Sequence, residues 1–447
     1  MIKGNSLLKL IYNSFVSFSI VVATSFVFIQ NIIAQQSLSL SDAIQRALKN
    51  NYQIQIASIN SKIADNNNSW AAAGALPSLN FNLADNNRLQ KIDNPASFIN
   101  GDVRTIGISG QVEMQWVLFN GFKTYINKSR LEALQEQTEG KELIVIQNTI
   151  QAVILAYYDA LVEYEKLKSL EYTLKLSADR YDYLKSKREM GAAATFDVLQ
   201  TEIAFQNDKQ NYLLQELNYK NSLRQLALIL GDDANTNYIL SDELKIEPKN
   251  YAYEILKQQL DTGNTQLKNE YINQLILRKQ FEFERSNMMP RVALNLGTSQ
   301  LQTNFKLNDL PERKGSQAEY YANFSLSFNL FNSGTVRRSM KNAQLQAQIG
   351  HVSLTEIKQT LASKLASELD MYNLRKNLLE LAETIQTNSN INLSIAEEKF
   401  KNGTLTSFEY RDIQLAALKA QINKLDAIYN LIVSETELMR LTGTIMK

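Results

Sequence analysis

Four segments of this chain alternate apolar and polar side chains with a period of two. From Thr105 to Leu118 the even positions are Ile106, Ile108, Gly110, Val112, Met114, Trp116 and Leu118. The odd ones are Thr105, Gly107, Ser109, Gln111, Glu113, Gln115 and Val117. Ala322, Phe324, Leu326, Phe328 and Leu330 alternate in the same parity with Tyr321, Asn323, Ser325, Ser327 and Asn329. Shorter runs follow Pro77 (Leu79, Phe81, Leu83) and Pro290 (Val292, Leu294, Leu296). Because side chains of a strand point to alternate faces, this pattern predicts two pairs of strands, each with one apolar and one polar face. Between the members of each pair, residues 84–104 and 303–319 are polar and carry Pro95, Asn100-Gly101, Pro311 and Gly315, which predicts exposed loops.

Alternation alone fits a soluble sheet packed on a core as well as a strand standing between lipid and lumen. Length and strand ends favour the membrane. The 14 residues from Thr105 to Leu118, at ~3.4 Å each and tilted ~40°, rise roughly 35 Å against an apolar band of ~25 Å. Phe119, Phe122, Tyr320, Tyr321 and Phe331 fall at strand ends, where interfacial aromatics gather. On this reading Ile106, Ile108, Val112, Met114, Trp116, Phe324, Leu326 and Phe328 meet lipid, with Leu326 near the midplane. Four strands cannot close a barrel, and an open edge in lipid leaves backbone groups unpaired. Eight strands leave an interior filled by side chains, so for a transport role the smallest assembly with a water-filled lumen is a trimer with twelve.

Elsewhere the period changes to that of a helix. Ile146, Ile150, Val153, Tyr157, Ala160, Tyr164 and Leu167 step by three and four, the seam of laterally packed helices. Residues 121–187 contain no proline and only Gly140 as an internal glycine, and 334–401 match them. At ~1.5 Å per residue such helices reach about 100 Å. Helices over 39–73 and 195–230 are about half as long.

These landmarks occur twice. Leu118-Phe119-Asn120 returns as Leu330-Phe331-Asn332 (330−118=212), Gly191 as Gly403 and Gly231 as Gly443 at the same offset, and Asn51 and Pro77 return as Asn264 and Pro290 (264−51=213). Solenoid periods run to roughly 20–50 residues, so this is a duplicated domain-sized unit. The expected division is a first repeat over 35–235, an inter-repeat equatorial segment over 236–250 and a second repeat over 251–447. Residues 1–34 have the form of a secretory signal: Lys3 and Lys9, an apolar run from Phe15 to Ile29, and Ile32-Ile33-Ala34 before Gln35. No second stretch reaches the ~18 uninterrupted apolar residues of a spanning helix.

Composition narrows function. Lys plus Arg 47 against Asp plus Glu 46 gives no field to hold a polyanion, which argues against nucleic acid. Cysteine is absent, which excludes disulfides, and the single histidine, His351, suits packing or surface better than metal ligation. With no phosphate-binding glycine loop and no nucleophile elbow, neither an enzyme nor a cofactor is expected. Asp232-Asp233 and Glu397-Glu398 are expected to be solvated charges.

The order helix, strand, strand, helix, helix, repeated, resembles the TolC-like outer-membrane efflux proteins over essentially the whole mature chain. The resemblance rests on Pro77 and Pro290 entering the strands, on Leu118-Phe119-Asn120-Gly121 and Leu330-Phe331-Asn332-Ser333-Gly334 leaving them, and on two glycine-containing helix hairpins, 190–199 and 402–412. It implies a mixed α+β membrane protein with internal duplication: a homotrimeric 12-stranded β-barrel, four strands per chain, in outer-membrane lipid, continued by a long α-helical coiled-coil tunnel in the periplasm. It further implies partners, a periplasmic adaptor and an inner-membrane pump of a tripartite efflux or type I secretion system. Met190, Gly191, Ala192, Gly403 and Thr404 match the tip that meets the adaptor, while Glu409, Asp412 and Asp197 match acids of the tip constriction. Glu409 and Asp412, three apart, share a helix face and would form stacked acidic rings about a three-fold axis. Glu409 after Thr406 is equally a capping-box spacing, and Asp197 is also placed to favour a helix start. A salt bridge locking the tip would draw its base from Lys399, Lys401 or Arg411, because Leu405 stands inside the second hairpin. A trimeric barrel-anchored stalk or adhesin is the rival reading.

Overall fold

The computed structural model describes residues 36–446; the expected signal at 1–34 lies outside the described residues. The first repeat runs β1 (Gln36–Leu38), α1 (Leu40–Asn50), α2 (Tyr52–Asn67), α3 (Trp70–Ala73), β2 (Ser78–Ile92), β3 (Gly101–Asn120), α4 (Lys123–Glu189) and α5 (Thr195–Leu230). The second runs β4 (Tyr238–Leu240), α6 (Tyr253–Gly263), α7 (Thr265–Ser286), β5 (Arg291–Leu307), β6 (Arg313–Ser327), α8 (Thr335–Lys401) and α9 (Ser407–Thr442). Two compact units each draw on both repeats. One holds residues 36–51, Ala152–Pro248 and Leu374–Val433, the other Tyr52–Gln151, Lys249–Asn373 and 434–446.

In the first unit, Leu38, Ala43, Ala47, Val153, Tyr157, Leu161, Leu226, Ala227, Leu230 and Tyr238 form a closed apolar core. This core absorbs part of the most apolar stretch of α4, a stretch that by composition alone passes for a membrane span. Short β1 pairs in parallel with β4, an element the sequence pattern did not reveal, and Tyr157 Oη donates to Leu38 O at 2.9 Å. Asp232 is not a solvated charge: it accepts from Arg46 at 3.0 Å and from Tyr238 Oη at 2.6 Å.

The single helix expected over 39–73 is three. Asn51 is extended and breaks it, and its Nδ2 donates to Ile229 O at 2.8 Å. In the second unit the duplicate Asn264, extended between α6 and α7, donates to Leu441 O at 2.9 Å and caps α7 by accepting from Leu267 N at 2.8 Å. The glycine partners have matching roles: a Cβ on Gly231 would meet Asn50 O at 2.5 Å, and one on Gly443 would meet Gly263 O at 2.3 Å. The offset of 212 to 213 therefore marks the places where a helix break is tied to a helix end at backbone contact distance. Asn264→Ala removes a buried side chain that serves both contacts, so a loss of about 1–3 kcal/mol is expected, read as a lower urea midpoint.

Glu437, also in the second unit, accepts from Arg440, Lys364 and Gln151. Burial raises its pKa, but the hydrogen bonds from Arg440, Lys364 and Gln151 outweigh that and bring it from 4.5 to about 2. A depressed folded-state carboxylate stabilises above its unfolded pKa. That contribution is thus complete above about pH 4.5 and is lost as pH falls toward about 2. Glu437→Gln is expected to flatten this part of a stability-versus-pH profile.

The second unit also holds one four-stranded antiparallel sheet, in the order β2-β3-β5-β6. The strands are longer than the apolar alternation. Of the residues expected as loop, 84–88 pair with 105–109 and 89–92 with 101–104, and β5 and β6 likewise leave only 308–312 unpaired of the expected loop over 303–319. Asn308 ties the two turns: its N donates to Asp102 O at 2.8 Å, its Oδ1 accepts from Asp102 N at 2.7 Å, and its Nδ2 donates to Asn100 O at 3.2 Å. At the other end β6 stops at Ser327, so Phe328 lies one residue beyond the strand in which it was expected.

Candidate functional site

Register fixes which side chains share a face. Met114 pairs with Leu79 and Leu296, and Leu296 with Ala322. The neighbouring rows are Phe81, Val112, Thr298, Tyr320 and, on the other side, Trp116, Leu294, Phe324. A bulge at Leu118 shifts the parity so that Phe119 joins Val292 and Leu326 on this face. Phe81 is 68 % exposed and Phe324 and Leu326 are both 73 % exposed, so these residues of the apolar band are uncovered among the described residues. Of the expected lipid-facing residues, Ile108, Val112, Trp116, Phe324, Leu326 and Phe328 are exposed, while Ile106 and Met114 are half-buried. Ile106 and Ile108 sit beyond the continuous band, between Asn87 and Asn304 and between Asp85 and Gln302. Trp116 Nε1 donates to Ala75 O at 2.9 Å, satisfying its polar end at the margin of the band.

The opposite face is polar. Its rows include Asn80, Glu113, Gly297, Tyr321 and Asn82, Gln111, Ser299, Glu319. Tyr321 lies over Gly297, where a Cβ would come within 2.4 Å of the ring, and its hydroxyl accepts from Gln111 Nε2 at 3.1 Å. Among the described residues neither β2 nor β6 has a partner on its outer edge. The sheet thus has two open edges, one bare apolar face and one polar face, and is not closed on itself among the described residues.

The first unit holds the two hairpins. α4 ends at Gly191 (φ 74°) and α8 at Gly403 (φ 72°). Around the first, Gly191 N donates to Arg188 O and Ala192 N to Lys187 O; around the second, Gly403 N donates to Phe400 O and Thr404 N to Lys399 O. These are paired C-terminal helix caps that need a left-handed residue. A Cβ at either glycine would meet nothing within 4 Å, so the requirement is the backbone angle and not space. Met190, Ala192 and Thr404 are exposed at these turns.

The acids behave differently from one another. Glu409 completes a capping box: its carboxylate accepts from Thr406 N at 2.9 Å and Thr406 Oγ1 at 2.7 Å, and Glu409 N donates to Thr406 Oγ1 at 3.2 Å. The Thr406 side-chain and backbone hydrogen bonds hold its pKa below the usual carboxylate value. Asp412 is exposed with no side-chain hydrogen bond among the described residues. Asp197 is half-buried in the first turn of α5, whose N-cap Ala194 makes no side-chain cap bond. The hairpins touch through aromatic rings, Phe196 with Phe408 at 6.4 Å and Tyr183 with Phe400 at 5.8 Å, and within the second hairpin Phe400 stacks on Tyr410 at 4.8 Å.

Of the three bases offered for a salt bridge at the tip, Arg411 makes one across the hairpins, to a partner that sequence reasoning missed. Arg411 on α9 grips Asp208 on α5 with two bonds, 2.6 and 2.7 Å, and Asp208 is buried. Lys401 instead pairs with Glu397 at 2.7 Å along its own helix. A signal for Asp208 existed in the spacing: Thr201, Asp208, Gln215 and Ser222 are buried polar residues seven apart (208−201=7), a polar row inside a helical seam.

This fold is of the mixed α+β kind found in outer-membrane channels. The profile of the Outer membrane efflux protein family matches residues 43–232 and, separately, 256–444. The chain belongs to that family, and thereby to the outer membrane and to efflux; the family is one of channels, not enzymes. Among solved structures it is similar to the CmeC outer membrane channel of Campylobacter jejuni (TM-score 0.76, 14 % identity, 91 % of this chain and 85 % of that one). It is also similar to VceC of Vibrio cholerae (0.67, 13 %, 90 % and 96 %) and to the open state of the MtrE channel of Neisseria gonorrhoeae (0.68, 15 %, 91 % and 89 %). At such identity these likenesses establish the fold alone. No curated protein matches the sequence.

Proposed function

We propose that three copies of this chain form the exit duct of a tripartite efflux or type I secretion system, passing small molecules or polypeptides from periplasm to exterior. The observation that carries this reading is the amphipathic four-stranded sheet with both edges open. Joining the β2 edge of one copy to the β6 edge of the next makes a 12-stranded barrel in which Val112, Met114, Trp116, Phe324 and Leu326 face lipid and Glu113, Gln111 and Glu319 face the lumen. Ile106, Ile108 and Phe328 flank the band on the same side. The long helices then form a coiled-coil tunnel in the periplasm, built from repeats at 35–235 and 251–447 joined by the equatorial segment 236–250.

The hairpins form the tip. Asp412, exposed and unengaged, supplies the main acidic ring of the constriction, with Glu409 behind it and Asp197 on the first-repeat hairpin. Three-fold rings of carboxylate attract cations and hinder anions. Met190, Gly191, Ala192, Gly403 and Thr404 are the contact points for a periplasmic adaptor, which connects to an inner-membrane pump. The Arg411–Asp208 pair is the tether that keeps the second hairpin against the first within each chain.

Single-channel recording in planar bilayers tests the duct. Cation-selective conductance that rises and loses selectivity in Asp412→Ala is expected. A trimer without conductance, even with Glu409→Ala and Asp412→Ala combined, is the result of a barrel-anchored stalk.

A further inference from the structure

We infer that a small inorganic monovalent anion, chloride being the natural case, binds beside Arg180 in a crevice between α4, α5 and α9. Arg180 is 3 % exposed. Its Nη1 donates to Gln414 Oε1 at 3.2 Å, and its Nε has no hydrogen-bond partner among the described residues. The second guanidinium nearby, that of Arg411, repels it, and the buried carboxylate within reach, Asp208, already gives both oxygens to Arg411. Buried Arg180 and half-buried Arg411 thus share one buried anion, Asp208. An uncompensated charge in such surroundings is costly, and a guanidinium, which cannot shed its proton readily, needs a counter-charge instead.

The space for one is present. A cavity of ≈ 40 Å³ is lined by Arg180, Arg411, Gln200, Thr201, Ser407 and Asp197, together with apolar Ala204 and Phe408. One water needs only ~10–15 Å³, so an ion of chloride size fits. The walls present guanidinium, amide and hydroxyl donors. Asp197, only half-buried, is the one acid among them, and it makes no hydrogen bond to Arg180. Burial first and the repulsion of Arg411 second lower the Arg180 pKa to about 10, in keeping with a cation short of an anion. The site lies within one chain and stands whether or not three chains form a duct.

The test uses the full-length protein in detergent. Crystals grown with bromide replacing chloride are expected to give an anomalous peak within hydrogen-bonding distance of Arg180. In solution the melting temperature is expected to rise saturably when chloride replaces gluconate at constant ionic strength, and to become flat in Arg180→Gln. Asp197→Asn is expected to move that saturation to lower chloride. Absence of bromide from the crevice in the wild-type crystals, or an Arg180–Asp197 ion pair in its place, overturns the proposal even if Arg180→Gln fails to fold. A chloride response unchanged in a folded Arg180→Gln does so as well.

Discussion

Replacing Asp208 by alanine is expected to destabilise the protein by about 3–5 kcal/mol, the cost of leaving a buried charge without its partner. Arg411 is the group left stranded, and Arg180 close by makes its position worse, since the buried carboxylate beside them has gone. The double replacement Asp208→Leu with Arg411→Met should recover most of the loss, because it removes both charges and keeps apolar volume. Thermal unfolding followed by circular dichroism separates the cases: a low melting temperature for Asp208→Ala and a near-normal one for the double variant. Equal losses in both would mean that the residues contribute packing rather than charge. In the duct, the single variant is also expected to raise mean conductance, as the second hairpin loses its hold on the first.

The second large effect is expected in the sheet. Val112 lies in the middle of β3 and pairs with Phe81 and Thr298 on the apolar face. Val112→Lys puts a charge near the bilayer midplane, at about 2–4 kcal/mol, and should reduce the folded fraction recovered in lipid vesicles. Gln111→Lys, one residue away on the polar face, is expected to fold normally. Leu326, which the alternation offers as a midplane residue, is the last but one residue of β6, so the same charge there is expected to cost only about 0–1 kcal/mol. Similar penalties at Gln111 and Val112 would contradict the assignment of the two faces.

Much of this architecture was legible because a single physical cause wrote it into the residues. Side chains that must alternate between two media declare a strand, so the parity of both strand pairs was readable, as were α5 and the lengths of α4 and α8. Strand ends were not. Beyond the apolar band both faces of β2 and β6 are polar, as in Asn86-Asn87-Arg88 and Arg313-Lys314-Gly315, and there backbone pairing continues without any hydrophobic pattern to report it. The break at Asn51 was equally hidden, since asparagine reads as an ordinary helix residue until Ile229 O is seen to take its amide. In the hairpins, the glycines declared themselves through the left-handed backbone they serve. The Arg411–Asp208 pair did not, because 203 residues separate its members and its duplicate positions are Leu199 and Ala420 (411−212=199; 208+212=420).

The claim on which the functional reading stands is that one chain is a third of a closed wall. Native mass spectrometry of the protein released from detergent micelles measures this directly. Three copies in a single species, surviving dilution, is the expected result; a lone chain, soluble and stable without detergent, would contradict it.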